Sequence, residues 1–277
     1  MPTQIEPALL NELRERLRTA RRVFVLTGAG VSAESGVPTF RGGGQSAVWK
    51  GMPFDVISSA GMLRRDLPAV WEWFDHRRDL LRNLRPNPAH LTLAGWQQKF
   101  AHFRLATQNV DGLHHAAGSR DVLELHGNIW TARCTVCGAR ESLREETGHE
   151  TGDVTGDVTG AETGAETGAE TGEERGARER PPVCLSCGNE MRPDVVLFGE
   201  MLPAGVFEQA AEDASRCDLC LVVGTSSLVY PAMRLPELAL GAGAYTVEIN
   251  PEVTPFSALC DAVVHGRAGE VLPRLEL

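Results

Sequence analysis

Three groups of residues in this chain have the types and spacing that chemistry requires. The first is a glycine turn at residues 28–30 (Gly-Ala-Gly), which directly follows an apolar run. The second is His126, which lies between a short apolar run and a glycine. The third is a pair of C-x-x-C-G segments that begin at Cys134 and Cys184. In order, they indicate a dinucleotide-binding turn, a general base and a metal site.

The glycine turn fits the loose G-x-G-x-x-A form of the dinucleotide fingerprint, with Ala33 at its last place. In that motif a buried strand runs into glycines, so that backbone N–H groups can approach a pyrophosphate. The match by itself is equally compatible with a tight turn at a strand end. Residues 35–42 (Ser-Gly-Val-Pro-Thr-Phe-Arg-Gly) do not resemble a Rossmann helix. They predict a rigid loop that carries an aromatic side chain and a phosphate-seeking arginine.

Polar residues follow several other apolar runs at the point where each run ends. They are Gln108, Asn109, Asp111, Gly224, Thr225, Ser226 and Asn250. In a parallel sheet, polar groups just past the carboxyl ends of the strands face the ligand crevice. His126 ends such a run too, which favours a general base over an ordinary surface histidine.

Two cysteine knuckles, each followed by a glycine, supply four thiolates for one tetrahedral Zn²⁺. The predicted ligands are Cys134, Cys137, Cys184 and Cys187. Four sulfur ligands leave no open coordination position, so the zinc is expected to be structural. A further pair, Cys217 and Cys220, lacks the glycine and runs into an apolar strand, which predicts buried packing instead.

Composition restricts the class of protein. The chain has 277 residues, 42% of them hydrophobic, and a net charge of −10. The acidic balance and the lack of a basic stripe argue against nucleic acid as a ligand. No apolar run reaches membrane-spanning length, residues 1–6 lack the features of a signal peptide, and the seven cysteines are an odd number. We therefore expect a cytoplasmic protein without a membrane partner.

Strand and helix patterns alternate along the chain. Helices are predicted at 7–20, 54–85, 89–98 and 207–216, with apolar strands between them. The pattern predicts an α/β fold: a doubly wound parallel Rossmann-like sheet with a smaller zinc-ribbon plus helical module. Residues 147–180 carry tetrapeptide repeats of the TGAE type with nine acids and three arginines, which predicts a disordered acidic insertion.

At six motifs, in this order along nearly the whole chain, the sequence resembles the sirtuin family of NAD-dependent protein-lysine deacylases. The motifs are residues 28–41, 107–114, 124–127, the two knuckles, 192–200, and 224–226 with Asn250. The resemblance implies an NAD-binding Rossmann-like domain at 1–42, 88–128 and 190–277. It implies a small domain at 43–87 and 129–189.

The resemblance also implies roles for individual residues. His126 would be the catalytic base, and NAD would be a co-substrate beside one structural zinc. The implied cofactor-binding residues are Gly28, Ala29, Gly30, Glu34, Thr39, Phe40, Arg41, Trp49, Gln108, Asn109, Asp111, Gly224, Thr225, Ser226, Asn250 and Ala268. Those implied for the acylated lysine of a protein substrate are Phe74, Arg77, Val196, Phe198, Gly199 and Glu200. Trp49 belongs to a glycine-rich loop that is either a lid or a plain surface loop.

The closest likeness is to the bacterial and mitochondrial desuccinylase-like branch, which uses a tyrosine and an arginine to bind an acyl carboxylate. Here Arg77 is present, but Phe74 takes the place of the tyrosine. The acyl preference therefore stays open between acetyl and succinyl or malonyl groups. Three other functions are alternatives: ADP-ribosyl transfer by the same fold, an NAD(P) oxidoreductase, and a non-enzymatic zinc-ribbon regulator. The sequence indicates no oligomeric state.

Overall fold

The structure, a computed structural model, describes residues 3–38, 48–144 and 181–275. The strands are β1 (Arg22–Thr27), β2 (Val48–Trp49), β3 (Met52–Pro53), β4 (His102–Thr107), β5 (Leu123–Glu124), β6 (Gly127–Cys134), β7 (Arg140–Ser142), β8 (Met191–Val195), β9 (Leu219–Val223), β10 (Tyr245–Ile249) and β11 (Ala262–Val264). The helices are α1 (Pro7–Thr19), α2 (Ala29–Ala33), α3 (Phe54–Ile57), α4 (Ala60–Arg65), α5 (Leu67–Leu81), α6 (Pro88–Lys99), α7 (Leu113–Ala116), α8 (Val206–Arg216), α9 (Arg234–Gly241) and α10 (Ala268–Val271), and a 3-10 turn (Leu272–Leu275) follows α10.

Six parallel strands form the main sheet in the order β11-β10-β9-β1-β4-β5. Alternate residues of β1 point to opposite faces of this sheet. Val23 and Val25 pack with α1, α6 and the C-terminal turn, while Phe24 and Leu26 pack with α8 and α9. The predicted doubly wound parallel sheet is thus confirmed. Because the strand order reverses beside β1, the switch point, where ligands bind in such folds, lies between β1 and β9.

A smaller module contains α3–α5 and a three-stranded antiparallel sheet in the order β7-β6-β8. β8 pairs in this small sheet, whereas the predicted range 190–277 assigned it to the large domain. Pro193 is tolerated in β8 because β8 is an edge strand. The single helix predicted over 54–85 is interrupted twice, since Ser59 and Asp66 each accept a backbone N–H and begin a new helix.

The other three predicted helices agree with α1, α6 and α8 to within one residue at each end, and apolar strands lie between the helices as predicted. The repeat segment 147–180 lies outside the described residues, and the proposed domain boundaries stay a prediction. None of the described helices combines the length and the apolar composition needed to cross a bilayer.

Candidate active site and metal centre

The turns after β1 and β9 cross in direct contact at the switch point. The amide of Gly28 donates to the carbonyl of Val223 at 3.0 Å, and the amide of Gly30 donates to that of Gly224 at 2.7 Å. A Cβ on Gly30 would lie 2.8 Å from the Cα of Gly224, which itself has a φ of +61°. Glycine is required here so that the two turns can touch. These two amides therefore already have acceptors within the protein, so other groups would have to bind a pyrophosphate.

A cleft of about 1240 Å³ lies above this crossing, between the sheet edge and the small module. Most of the predicted site residues line it, although they come from stretches far apart in the chain. From the cofactor set these are Gly28, Ala29, Gly30, Glu34, Gln108, Asn109, Gly224, Thr225, Ser226, Asn250 and Ala268. From the substrate set they are Phe74, Arg77, Val196, Phe198, Gly199 and Glu200, and His126 lines the cleft with them.

Five predicted residues are not among the described lining of the cleft. Trp49 packs on the small module, with its ring centroid 5.9 Å from that of Trp73. Asp111 is buried below the cleft, where its carboxylate accepts the amide of Leu113 at 2.8 Å. The remaining three lie outside the described residues: Thr39, Phe40 and Arg41.

His126 is held in one tautomer by the backbone. Its Nδ1 lies 2.9 Å from the carbonyl oxygen of Gln108, and a carbonyl can only accept a hydrogen bond. Nδ1 therefore carries the proton, and Nε2 is left as the nitrogen that can take one. Burial lowers the pKa of His126 below 6.5, and the bond to Gln108 opposes this only in part. The ring is thus neutral at neutral pH, as a general base must be.

Side-chain hydrogen bonds connect the turns at the sheet edge. Gln108 Nε2 donates to Thr225 Oγ1 at 2.9 Å, and Asn250 Nδ2 donates to the carbonyl of Thr225 at 2.7 Å. At the far end, the Glu34 carboxylate accepts the Gly269 amide at 2.7 Å. Glu34 thus fastens α2 to the start of α10, where Ala268 borders the cleft.

Beneath the cleft, the predicted Asn109 contacts a second layer of polar residues that was not identified from the sequence. Asn109 Nδ2 donates to Ser32 Oγ at 3.0 Å, and Ser32 Oγ lies 3.3 Å from His90 Nε2. His114 Nε2 lies 3.0 Å from Thr27 Oγ1, also fully buried. Spacing alone does not reveal such a layer, because its members come from four separate segments. The only sequence signal was that polar side chains interrupt otherwise apolar elements.

Acid is expected to destabilise the protein through the two buried histidines of this layer. Burial lowers the pKa of His90 from 6.5 to about 4 and that of His114 to about 3. Protons therefore bind more readily to the unfolded chain, and the stabilisation is present above pH 6.5. As the pH falls from 6.5 towards these values, the free energy of unfolding decreases, by on the order of 3 kcal/mol for each ring near pH 4.

Urea unfolding between pH 7.5 and 5 measures this effect. His114→Asn should flatten the pH dependence relative to the parent protein, whereas His102→Gln, at an exposed position, should leave it unchanged. An identical pH dependence in the parent protein and in His114→Asn would show that His114 does not titrate as stated.

Phe74 and Arg77 lie together on α5 at one end of the cleft, and both are buried. The guanidinium carbon of Arg77 is 5.7 Å from the centroid of the Trp73 ring. Burial lowers the pKa of Arg77, and the negative charge of Asp111 opposes this. The arginine thus has an anionic neighbour already within the protein.

The segment after β8 crosses the mouth of the cleft. The Val196 amide donates to the carbonyl of His126 at 2.9 Å, and the Phe198 amide donates to that of Ser58 at 2.9 Å. Glu200 folds back and accepts hydrogen bonds from the buried Arg192 at 2.5 and 2.9 Å. Glu200 therefore holds the shape of this segment, a task that the sequence did not reveal.

The four knuckle cysteines form one cluster, with all Sγ atoms within 4.8 Å of one another. Tetrahedral Zn–S bonds of about 2.3 Å place sulfurs roughly 3.8 Å apart, so the cluster fits one zinc ion. The amides of Val136 and Cys137 donate to Cys134 Sγ at 3.4 Å each, and Gly138 and Gly188 both have positive φ. Cys217 and Cys220 are buried and lie outside this cluster, in agreement with the predicted packing role.

A cleft at the switch point of a doubly wound sheet is where α/β proteins of the dinucleotide-binding class bind their ligands. A protein-family model described as the Sir2 family matches residues 28–231. A protein of Caldanaerobacter subterraneus subsp. tengcongensis named NAD-dependent protein deacylase 1 is 42% identical over 245 residues, which are 88% of each chain.

Two solved structures share the fold. A Sir2 homolog–NAD complex has a TM-score of 0.77 and 34% identity, and the match covers 99% of this chain and 93% of that one. A complex of Sir2 with a p53 peptide and NAD+ has a TM-score of 0.74 and 27% identity, with 96% of both chains covered.

The chain belongs to the Sir2 family, since the family model spans most of it and the relative covers nearly all of it. The predicted sirtuin membership is confirmed, and the comparisons support an NAD-dependent protein deacylase with a cysteine cluster for one zinc. The comparisons do not identify a branch within the family, and they do not bear on Phe74 in place of a tyrosine.

Proposed function

We propose that this chain removes acyl groups from lysine side chains of proteins and consumes one NAD for each lysine released. The products are nicotinamide, an O-acyl-ADP-ribose and free lysine. The observation that carries this proposal is His126, a neutral ring with a fixed acceptor nitrogen, which lines a cleft of about 1240 Å³ together with the predicted cofactor and substrate residues.

In the proposed mechanism the acyl oxygen bonds to C1′ of the ribose while the bond from C1′ to nicotinamide breaks. His126 then takes the proton of a ribose hydroxyl as that hydroxyl attacks the acyl carbon, and water finally releases the lysine and the O-acyl-ADP-ribose. We assign Thr225, Ser226 and Asn250 to the adenosine ribose, because hydroxyl and amide groups suit its hydroxyls. The other predicted cofactor residues that line the cleft keep their predicted role, and we extend it to the undescribed Thr39, Phe40 and Arg41. Trp49 and Asp111 lie outside the described lining, so we propose that they act on NAD through other residues.

We propose that the acyl-lysine peptide adds as a strand beside the segment after β8. The amides of Val196 and Phe198 already donate within the chain, and the carbonyls of Leu197 and Phe198 already accept from Glu200 and Ala60. Pairing would therefore use the carbonyl of Val196 and the backbone of Gly199. The exposed Phe198 ring would contact the lysine stem, and Glu200 would keep the segment in shape. A cytoplasmic location and the absence of nucleic-acid and membrane partners remain proposals.

Mass spectrometry of the products from NAD and an acyl-lysine peptide tests the reaction. Nicotinamide, O-acyl-ADP-ribose and a peptide lighter by the acyl group are expected in equal amounts, without an absorbance change at 340 nm. A peptide heavier by ADP-ribose would instead favour ADP-ribosyl transfer, which this fold also permits. Inert NAD would favour the non-enzymatic zinc-ribbon regulator.

Phe74 and Arg77 are proposed to select the acyl group at the end of the cleft. Arg77 can pair with a succinyl or malonyl carboxylate, but Phe74 lacks the hydroxyl that would donate a second hydrogen bond. Because a hydrogen bond to a charged group contributes about 1.5–3 kcal/mol, Phe74→Tyr should raise the succinyl-to-acetyl ratio of kcat/KM by roughly 10- to 100-fold.

Steady-state kinetics on acetyl and succinyl versions of one peptide measure this ratio. Phe207→Tyr on α8 adds a hydroxyl away from the cleft and should not change it. A parent enzyme that already strongly prefers succinyl-lysine would contradict the argument from the missing hydroxyl.

A further inference from the structure

Glu248 is a carboxylate in the middle of β10 and has no exposed surface. The hydroxyls of Thr254 and Ser257 donate to its two oxygens, and the Ser227 hydroxyl donates at 3.4 Å. A buried carboxylate is costly unless its lone pairs are satisfied, and an apolar residue would pack into β10 at lower cost. Its hydroxyl partners therefore point to a role beyond packing.

The hydroxyls come from the two loops that close one half of the cleft. Ser227 belongs to the loop after β9, which lines the cleft with Thr225 and Ser226. Thr254 and Ser257 belong to the loop after β10, which lines it from residue 250 to 255. One carboxylate thus joins the two loops from behind.

Each loop relies on these hydroxyl groups for its shape. Ser227 has a φ of +57°, which is unfavourable for a residue with a side chain, and its amide lies 3.4 Å from Thr225 Oγ1. In the second loop the Thr254 amide donates to Ser257 Oγ at 2.8 Å, and the Phe256 amide donates to Thr254 Oγ1 at 3.1 Å. The carboxylate fixes the hydroxyls, and the hydroxyls fix the backbone.

The contacts continue across the cleft floor to the general base. The Ser227 amide lies 3.4 Å from Thr225 Oγ1, and the same oxygen accepts a hydrogen bond from Gln108 Nε2 at 2.9 Å. The carbonyl of Gln108 in turn accepts the hydrogen bond from Nδ1 of His126 at 2.9 Å. Thr225, Gln108 and His126 line the cleft, whereas Glu248 and Ser227 are not among the residues that line it. Glu248 therefore acts on the ligand through other residues.

We propose that Glu248 is a positioning residue for NAD: it holds the two loops that bind the adenosine ribose in their binding conformation. This inference rests on the proposed function for the identity of the ligand. It predicts that removing hydrogen bonds of the Glu248 carboxylate raises the free-energy cost of ordering the two loops when NAD binds. The peptide half of the cleft and the chemistry at His126 are not affected once NAD is in place.

Glu248→Gln tests the proposal because it keeps the shape of the side chain and replaces one acceptor oxygen of the carboxylate by an amide group. The KM for NAD and the calorimetric Kd for NAD should rise by about tenfold, the effect of one or two hydrogen bonds. At saturating NAD, kcat and the KM for peptide should stay within about twofold. Ser227→Ala should give the same split, and Glu212→Gln on the surface of α8 should change nothing.

Two results would overturn the proposal. One is an unchanged KM and Kd for NAD in Glu248→Gln. The other is a parallel loss of kcat and of both substrate affinities that follows the fraction of folded protein, as a purely structural role would give. Calorimetry does not depend on turnover, so a parent protein that binds NAD but fails to deacylate would reject the proposed function and still test Glu248.

Discussion

His126→Ala is expected to reduce the rate of deacylation by about 10²–10⁴-fold, which is the usual contribution of a general base. The Kd for NAD should change little, because the hydrogen bond that holds the ring runs from Nδ1 to the Gln108 carbonyl within the protein. In the proposed mechanism nicotinamide leaves before the base acts. Exchange of labelled nicotinamide into NAD should therefore fall much less than peptide deacylation does.

Single-turnover product analysis, NAD calorimetry and the exchange assay on one preparation separate these steps. His102→Ala is the matched control, because His102 is an exposed histidine on β4. Near-normal deacylation by His126→Ala would refute the assignment of the base. Equal losses in NAD affinity and in deacylation would mean that the ring supports the cleft and does not transfer the proton.

Cys134→Ser is expected to abolish zinc binding and to destabilise the protein by several kcal/mol, because the metal closes the small module. Cys134 is the last residue of β6, which begins directly after His126, and it packs with Cys184, Met191 and the fully buried Trp71 of α5. Loss of the metal should therefore disturb the small module as well as the two knuckles.

Elemental analysis after dialysis should find one zinc per chain in the parent protein and none in Cys134→Ser. Thermal unfolding should show a lower Tm for the variant and for the chelator-treated parent protein. Cys260→Ser removes a cysteine outside the cluster and should keep both the zinc and the Tm. A zinc-free Cys134→Ser protein with the parent Tm would show that the cluster does not support the fold.

The sequence was informative where a function depends on neighbouring residues. The knuckles, the glycine turns and the polar residues at strand ends are short patterns, and each has a local physical cause: a coordination geometry, a positive φ or the end of a strand. The same locality made the main-sheet strands and most helices predictable. The breaks at Ser59 and Asp66 were missed because capping by a single side chain interrupts an otherwise continuous helical pattern.

Long-range pairing explains what was not predicted. β8 contains Arg192, Pro193 and Asp194, and only its pairing with β6 assigns it to the small sheet. Trp49 lies in a loop beside the cofactor motif in the sequence, yet it packs against Trp73. Glu200 lies in a substrate motif, yet its carboxylate is bound to Arg192.

The sequence by itself determined the fold class and the cysteine cluster, and most of the site residues that it predicted line the cleft, because strand ends and metal knuckles are encoded locally. Only the tertiary structure decided how these residues are used. It showed that the amides of Gly28 and Gly30 serve the crossing of two turns, that His126 is fixed as a base by the Gln108 carbonyl, and that Glu248 joins two loops. Each of these depends on hydrogen bonds between segments that meet only when the sheet has formed.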